Sequence, residues 1–178
     1  TAAPRQHVCD LGLGVGVASL CLAARIGELH MTGVEIDSDL AGLAAANAAR
    51  NTHAFEIVVA DILKRPRAIA RQSFHHVITN PPFHSIERGT RAPKSDKARA
   101  TSVPARALVD WLRFARALVR PKGQVTAILP AEQLPLALEA LSPTGTGVEL
   151  IPLWPASGAD AKRIIVRTRI NSNASLRL

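Results

Sequence analysis

Cysteine is nearly absent from this chain, occurring only as Cys9 and Cys21 among 178 residues. Two cysteines cannot form the framework of a disulfide-stapled scaffold, and both lie in apolar surroundings at core-facing spacing. They are expected as buried free thiols, with no metal centre, in a protein kept in a reducing, cytoplasmic setting. Long apolar runs are also missing. No stretch reaches the length of a membrane span, and nothing at the start resembles a signal peptide. There is no internal repeat and no obvious catalytic His/Asp pair. A length of 178 residues fits one domain over 1–178, whose folding would bury roughly 70% of the unfolded surface without further staples. The first residue is Thr1 rather than Met, so an N-terminal lead-in is expected to be missing.

Acidic residues are sparse in the second part of the chain. Residues 1–60 carry three Lys/Arg against six Asp/Glu, whereas residues 61–178 carry nineteen against eight. The net charge of +8 is therefore a balance of −3 followed by one of +11. Such grouping can be solubilising, but a basic surface beside an active site is what a polyanionic partner needs.

The chain opens on a short buried strand, His7 to Leu11, then Gly12, Gly14 and Gly16 at alternate positions, then the apolar, alanine-rich run Val17 to Ile26. Strand, glycine turn and helix make a backbone that a ligand can approach closely, with free N–H groups at the helix start. Asp10 to Gly16 resembles the D-x-G-x-G-x-G loop of Rossmann-like methyltransferases rather than the dinucleotide pattern, which favours S-adenosylmethionine over NAD. A second strand, His30 to Ile36, holds Glu35 nineteen residues beyond Gly16. A doubly wound fold places an acidic residue on ribose hydroxyls at about that separation. Asp37 or Ser38 is expected to cap the helix Asp39 to Arg50. Strand Glu56 to Ala60 ends at Asp61, which is either a turn aspartate or a cofactor contact.

The fourth strand, Phe74 to Thr79, runs into Asn80, Pro81, Pro82 and Phe83. Two prolines stop the ladder and stiffen the backbone, and the proline after Asn80 directs that residue to extended angles. The side-chain oxygen of Asn80 and the carbonyl of Pro81 can converge on a planar NH2 group, with Phe83 placed to stack on the ring that bears it. From His84 to Val103 the chain is polar and basic, with Arg91, Lys94, Lys97 and Arg99 available to a nucleic-acid backbone. Pro104 to Leu118 has helical spacing with Trp111 on its apolar, core-facing side. Strand Gln124 to Leu129, helix Ala131 to Leu141, and strands Val148 to Trp154 and Arg163 to Ile170, joined by a turn at Gly158, complete the chain. The alternation implies an α/β fold, a doubly wound, mostly parallel seven-stranded sheet with helices on both faces and an antiparallel strand inserted at one edge.

Asn80 to Phe83 resembles the [DNS]-P-P-[YFW] motif of the S-adenosylmethionine-dependent amino methyltransferases, and the strand arrangement resembles their Rossmann-like class I fold. Across nearly the whole chain the sequence is similar to bacterial tRNA adenine-N6 methyltransferases that modify an adenine beside the anticodon of valine tRNA. That similarity rests on Asp10 to Gly16, Glu35, Asp61, Asn80 to Phe83, Asp96 to Arg99, Ile128 to Gln133 and Ala161 to Arg167. The resemblance implies S-adenosylmethionine contacts at Asp10, Gly12, Gly14, Gly16, Glu35, Asp61 and Asn80, with Asp61 on the adenine amino group. It implies catalysis by Asn80, Pro81, Pro82 and Phe83, and an RNA partner, most plainly tRNA, held by Phe83, Arg91, Lys94, Lys97 and Arg99. Phe83 followed by His84 also resembles guanine-N2 methyltransferases of ribosomal RNA. A glutamine side chain in a protein has the same flat NH2, and a module that binds the cofactor and RNA without catalysis is a further alternative.

Overall fold

In the computed structural model the described residues are 2–82, 105–142 and 147–170. Strands β1 (His7–Leu11), β2 (His30–Glu35), β3 (Phe55–Val59), β4 (Phe74–Thr79), β5 (Val119–Pro130), β6 (Gly147–Leu153) and β7 (Arg163–Arg169) form one seven-stranded sheet in the order β3-β2-β1-β4-β5-β7-β6. The first five are parallel, and β7 is antiparallel to both β5 and β6 between which it lies. This is the doubly wound, mostly parallel α/β sheet expected, with its antiparallel strand inserted next to the edge. The order reverses between β1 and β4, and a doubly wound sheet binds ligands beyond the carboxyl ends of its strands at such a switch point.

Helices α1 (Val17–Ile26) and α2 (Ser38–Arg50) lie on one face, and α3 (Ala105–Leu118) and α4 (Leu134–Leu141) on the other. The larger core is on the α3/α4 face. There Leu108, Leu112, Ala115 and Leu118, spaced along one side of α3, pack with Cys9, Leu11, Val77, Val125 and Val166 from alternate strand positions. The periodicities of 3.6 and 2 thus meet on one surface. Among the described residues no helix is long and apolar enough to cross a membrane.

Two elements and one side chain differ from expectation for identifiable reasons. β5 begins at Val119 because that residue pairs with Phe74 ahead of an irregularity in the ladder, after which Gln124 pairs with His76. The helix expected from Ala131 is a 3-10 turn over Ala131–Gln133 and then α4, with Pro135 in the first turn of α4, where a missing N–H is harmless. Cys21 is exposed rather than buried. The buried positions of α1 are Ser19 and Ala23, and two residues from either the helix has turned about 200°. Cys9 is fully buried, and burial pushes its thiol far above the ordinary range, so it behaves as an inert core residue.

Candidate active site

Register places the sequence's candidate residues side by side. Leu11 pairs with Val34 on one flank and Thr79 on the other, and Glu35 pairs with Val59. The residues that follow, Asp61, Glu35, Gly12 and Asn80, therefore stand in a row at the carboxyl ends of four adjacent strands about 4.8 Å apart. Asp10, Gly12, Gly14 and Asn80 line a common hollow of about 680 Å³.

The glycine turn is built for close approach. Gly14 has φ 55°, and a Cβ there would meet no atom within 4 Å, so the space beside it is open to a ligand. Gly12 is packed from beneath, because its hypothetical Cβ would lie 3.2 Å from the Trp111 ring. Gly16, like Glu35 and Asp61, is not among the residues that line this hollow, and it has a packing role besides. With φ 86° it precedes α1, and its hypothetical Cβ would lie 3.5 Å from the Ala44 Cβ of α2. It brings the two helices together and does not line the hollow.

Glu35 is 7% exposed and is occupied by the protein itself. Oε2 accepts from the Gly14 N–H at 2.7 Å, and Oε1 accepts from the N–H groups of Ile36 at 2.9 Å and Asp37 at 3.1 Å. A carboxylate offers about four lone-pair sites, so a ribose would find one free or would displace a backbone donor. Asp61 is a turn residue, with Oδ1 accepting from the Leu63 N–H at 2.9 Å. That bond leaves Oδ2 for a ligand donor. Asp37, not Ser38, caps α2 by accepting from the N–H groups of Asp39 and Leu40.

Asp10 is 4% exposed, and its Oδ2 accepts the Ser19 hydroxyl at 2.7 Å. Burial pushes its carboxyl up to about 6 against the pull of Ser19, and Glu35 adds to the rise. A buried carboxyl next to a second carboxylate, at an open glycine turn, is the donor set that suits a cationic ligand.

Asn80 is exposed, Pro81 is buried and Pro82 half-buried. The clamp thus emerges from a fixed base. Phe83, Arg91, Lys94, Lys97 and Arg99 fall outside the described residues.

Sequence reasoning missed the residues that hold loop and clamp together. The Trp111 Nε1–H donates to Thr79 Oγ1 at 2.9 Å, and the Thr79 hydroxyl donates to the Leu11 carbonyl at 2.7 Å. Thr79 precedes Asn80 and Leu11 precedes Gly12, so one hydrogen-bonded chain joins α3 to both functional strand ends. Helical spacing had assigned Trp111 to the core, where it does lie. The signal was its indole N–H, which needs an acceptor when buried.

A glycine turn at the end of β1, acidic residues at the ends of β2 and β3, and a proline-stiffened acceptor at β4 define a nucleoside-binding class I fold. The chain belongs to the methyltransferase small domain family, whose model matches residues 1–94. Membership implies S-adenosylmethionine as the cofactor. The chain is 33% identical over 133 residues to the tRNA1(Val) (adenine(37)-N6)-methyltransferase of Porphyromonas gingivalis, a match covering 72% of this chain and 51% of that protein. The enzyme of the same name from Shewanella halifaxensis is 31% identical over 141 residues, covering 78% and 56%. The chain thus spans about half the length of these curated relatives. Among solved structures, a predicted O-methyltransferase of Agrobacterium tumefaciens superposes with a TM-score of 0.75 at 26% identity, covering 99% of this chain and 79% of that one. TrmN from Thermus thermophilus gives 0.68 at 23%, covering 95% and 45%, and shows the shared fold.

Two outcomes are expected. Thr79→Val removes both hydroxyl bonds and leaves the buried indole N–H without an acceptor, which should cost about 1–3 kcal/mol in urea unfolding. For Asp10, a carboxyl raised from 3.8 to about 6 holds its proton more tightly in the folded state. Stability contributed by Asp10 therefore falls as pH rises from about 4 to 6, and the full penalty applies above that. Asp10→Asn should accordingly stabilise the cofactor-free protein by roughly 2–3 kcal/mol at pH 7.5 and by distinctly less at pH 5. Equal effects at both pH values would contradict the assignment.

Proposed function

We infer that the protein transfers a methyl group from S-adenosylmethionine to the exocyclic amino group of a nucleobase in RNA, with adenine N6 in tRNA the best-supported acceptor. The observation that carries this is the pairing of Leu11 with Thr79, which sets the Asn80, Pro81, Pro82 clamp immediately beside the glycine turn. A clamp made of carbonyl acceptors suits NH2 hydrogens rather than a hydroxyl. The names of the tRNA-modifying relatives and the +11 balance of residues 61–178 support an RNA substrate. A tRNA-modifying role would place the protein in the cytoplasm.

Bound S-adenosylmethionine supplies an electrophilic methyl group on a positively charged sulfur. In this reading Asp10 faces that charge, the Gly12 to Gly14 backbone gives it room, the remaining acceptor site of Glu35 takes a ribose hydroxyl, and Asp61 Oδ2 takes the cofactor's adenine amino group. The amine to be methylated is a poor nucleophile because its lone pair is delocalised into the ring. Asn80 Oδ1 and the Pro81 carbonyl hold its two hydrogens, favour a pyramidal nitrogen and stabilise positive charge as it develops there. No strong base is required, since the proton leaves to water after transfer. Phe83 stacks on the base once it has left its own stack, a step that costs less in a loop than in a duplex. Arg91, Lys94, Lys97 and Arg99 hold the neighbouring phosphates.

The decisive experiment incubates the protein with labelled cofactor and either total RNA or total protein, and identifies the modified residue by mass spectrometry. N6-methyladenosine in tRNA is the expected product. N2-methylguanosine in ribosomal RNA would move the acceptor, and label in protein glutamine would overturn the RNA reading. Asn80→Ala should leave cofactor affinity by calorimetry close to wild type while lowering turnover on the order of 10²- to 10³-fold. Turnover near the wild-type value would remove Asn80 from the mechanism.

A further inference from the structure

The most exposed large apolar side chain among the described residues, apart from Ile36, is Trp154 at 62%. It follows β6, and its neighbour Leu153 is 38% exposed. Because β6 and β5 are both antiparallel to β7, β6 runs parallel to β5 and ends on the same side of the sheet as β4. Trp154 therefore stands at the edge that carries the glycine turn and the clamp.

Its position relative to the clamp follows from register. Pro130 of β5, Arg163 of β7 and Leu153 of β6 lie in line across the sheet, while Thr79 pairs with Ala127, three residues earlier on β5. The β6–β7 connection thus rises about 10 Å beyond the level of Thr79, at about 3.3 Å per residue, and stands three strand spacings, roughly 14 Å, to one side. It stands on the clamp's edge of the sheet, roughly 17 Å from Thr79 and so within a few nucleotides of it along an extended strand.

The backbone there is restricted. Trp154 lies between Pro152 and Pro155; the second restricts Trp154 to extended angles, and the first fixes its own φ. A turn closes behind it through the Ala159 N–H to the Ala156 carbonyl at 3.3 Å, with Gly158 at φ 76°. Lys162, just before β7, and Arg163, its first residue, are exposed. An exposed indole on a proline-restricted backbone, with the exposed Lys162 just before the strand opposite, is a combination that single-stranded nucleic acids use, bases stacking on the ring and phosphates meeting the charge.

We propose that Trp154 is a stacking platform for a base near the methylated nucleotide in single-stranded or looped RNA, with the exposed Lys162 available to an adjoining phosphate. The proposal rests on the RNA reading above and adds a second aromatic contact away from the clamp. The platform selects RNA whose target lies in an unpaired segment, because a nearby base held in a duplex cannot reach the ring.

The chain has only two tryptophans, and Trp111 is 8% exposed, so quenching of the solvent-exposed emission reports on Trp154. The test titrates unfractionated bacterial tRNA into wild type, Trp154→Ala and Trp154→Phe, following fluorescence, methylation kinetics and salt dependence. Quenching is expected in the wild type and its loss in Trp154→Ala. Trp154→Ala should raise KM for tRNA by about 5- to 150-fold, the equivalent of one lost base stack. Its kcat at saturating tRNA, its cofactor affinity and the log–log salt slope should stay at wild-type values, since stacking releases no counterions. Trp154→Phe should recover most of the affinity. If the wild type methylates tRNA but Trp154→Ala matches it in KM, or if tRNA leaves the wild-type emission unquenched, the platform is wrong and the RNA reading stands. If the wild type methylates only protein glutamine, the RNA reading falls and the platform falls with it. Emission that changes with protein concentration but not with tRNA would assign the ring to a second copy of the chain and overturn the proposal.

Discussion

The hydroxyl of Thr79 is the point at which the two halves of the site are tied together. It donates to the last residue before the glycine turn and accepts from the indole of α3, so turn, clamp and helix share one buried junction. A threonine hydroxyl offers one donor and two acceptor sites, and here the donor and one acceptor are used in fixed directions. The same indole presses on Gly12 from below. The junction ties the ends of β1 and β4 to a single helix.

Charge is distributed unevenly. Asp10 and Glu35 sit at strand ends beside the glycine turn, and the excess of basic residues falls in 61–178, the part of the sequence that holds the clamp. Asp10 carries the cost of this arrangement. Its carboxyl is buried beside the Ser19 hydroxyl and a second carboxylate, a combination that makes its ionisation in the folded protein costly. Stability has been traded for an electrostatic preference, which is common where a site must discriminate.

Much of this was legible in the sequence because strands and the glycine turn depend on local chemistry. Asp10 to Gly16, Glu35, Asp61 and Asn80 were each found at the carboxyl end of a strand, and the β-α alternation gave the parallel sheet. What was not legible depends on pairing between distant segments. Gly16 follows the turn's spacing but serves the α1–α2 contact, which exists only once Ala44 is opposite it. Cys21 has apolar neighbours in sequence, yet its angle around α1 turns it outward. Trp111 was read correctly as core, but its hydrogen bond to Thr79 requires knowing which strand end lies above the helix. Trp154 was read as the last residue of a strand, since only the topology reveals that β6 ends beside the clamp.

Glu35 bears on how the site first meets its ligand. Three backbone N–H groups, one of them from Gly14, are gathered on its carboxylate before any ligand contributes. The turn is therefore shaped by folding, and little conformational entropy remains to be lost on association. A pocket of this kind captures its ligand at a rate set by diffusion and orientation rather than by a slow rearrangement of the loop, so differences in residence time, not in capture, would separate a strong ligand from a weak one.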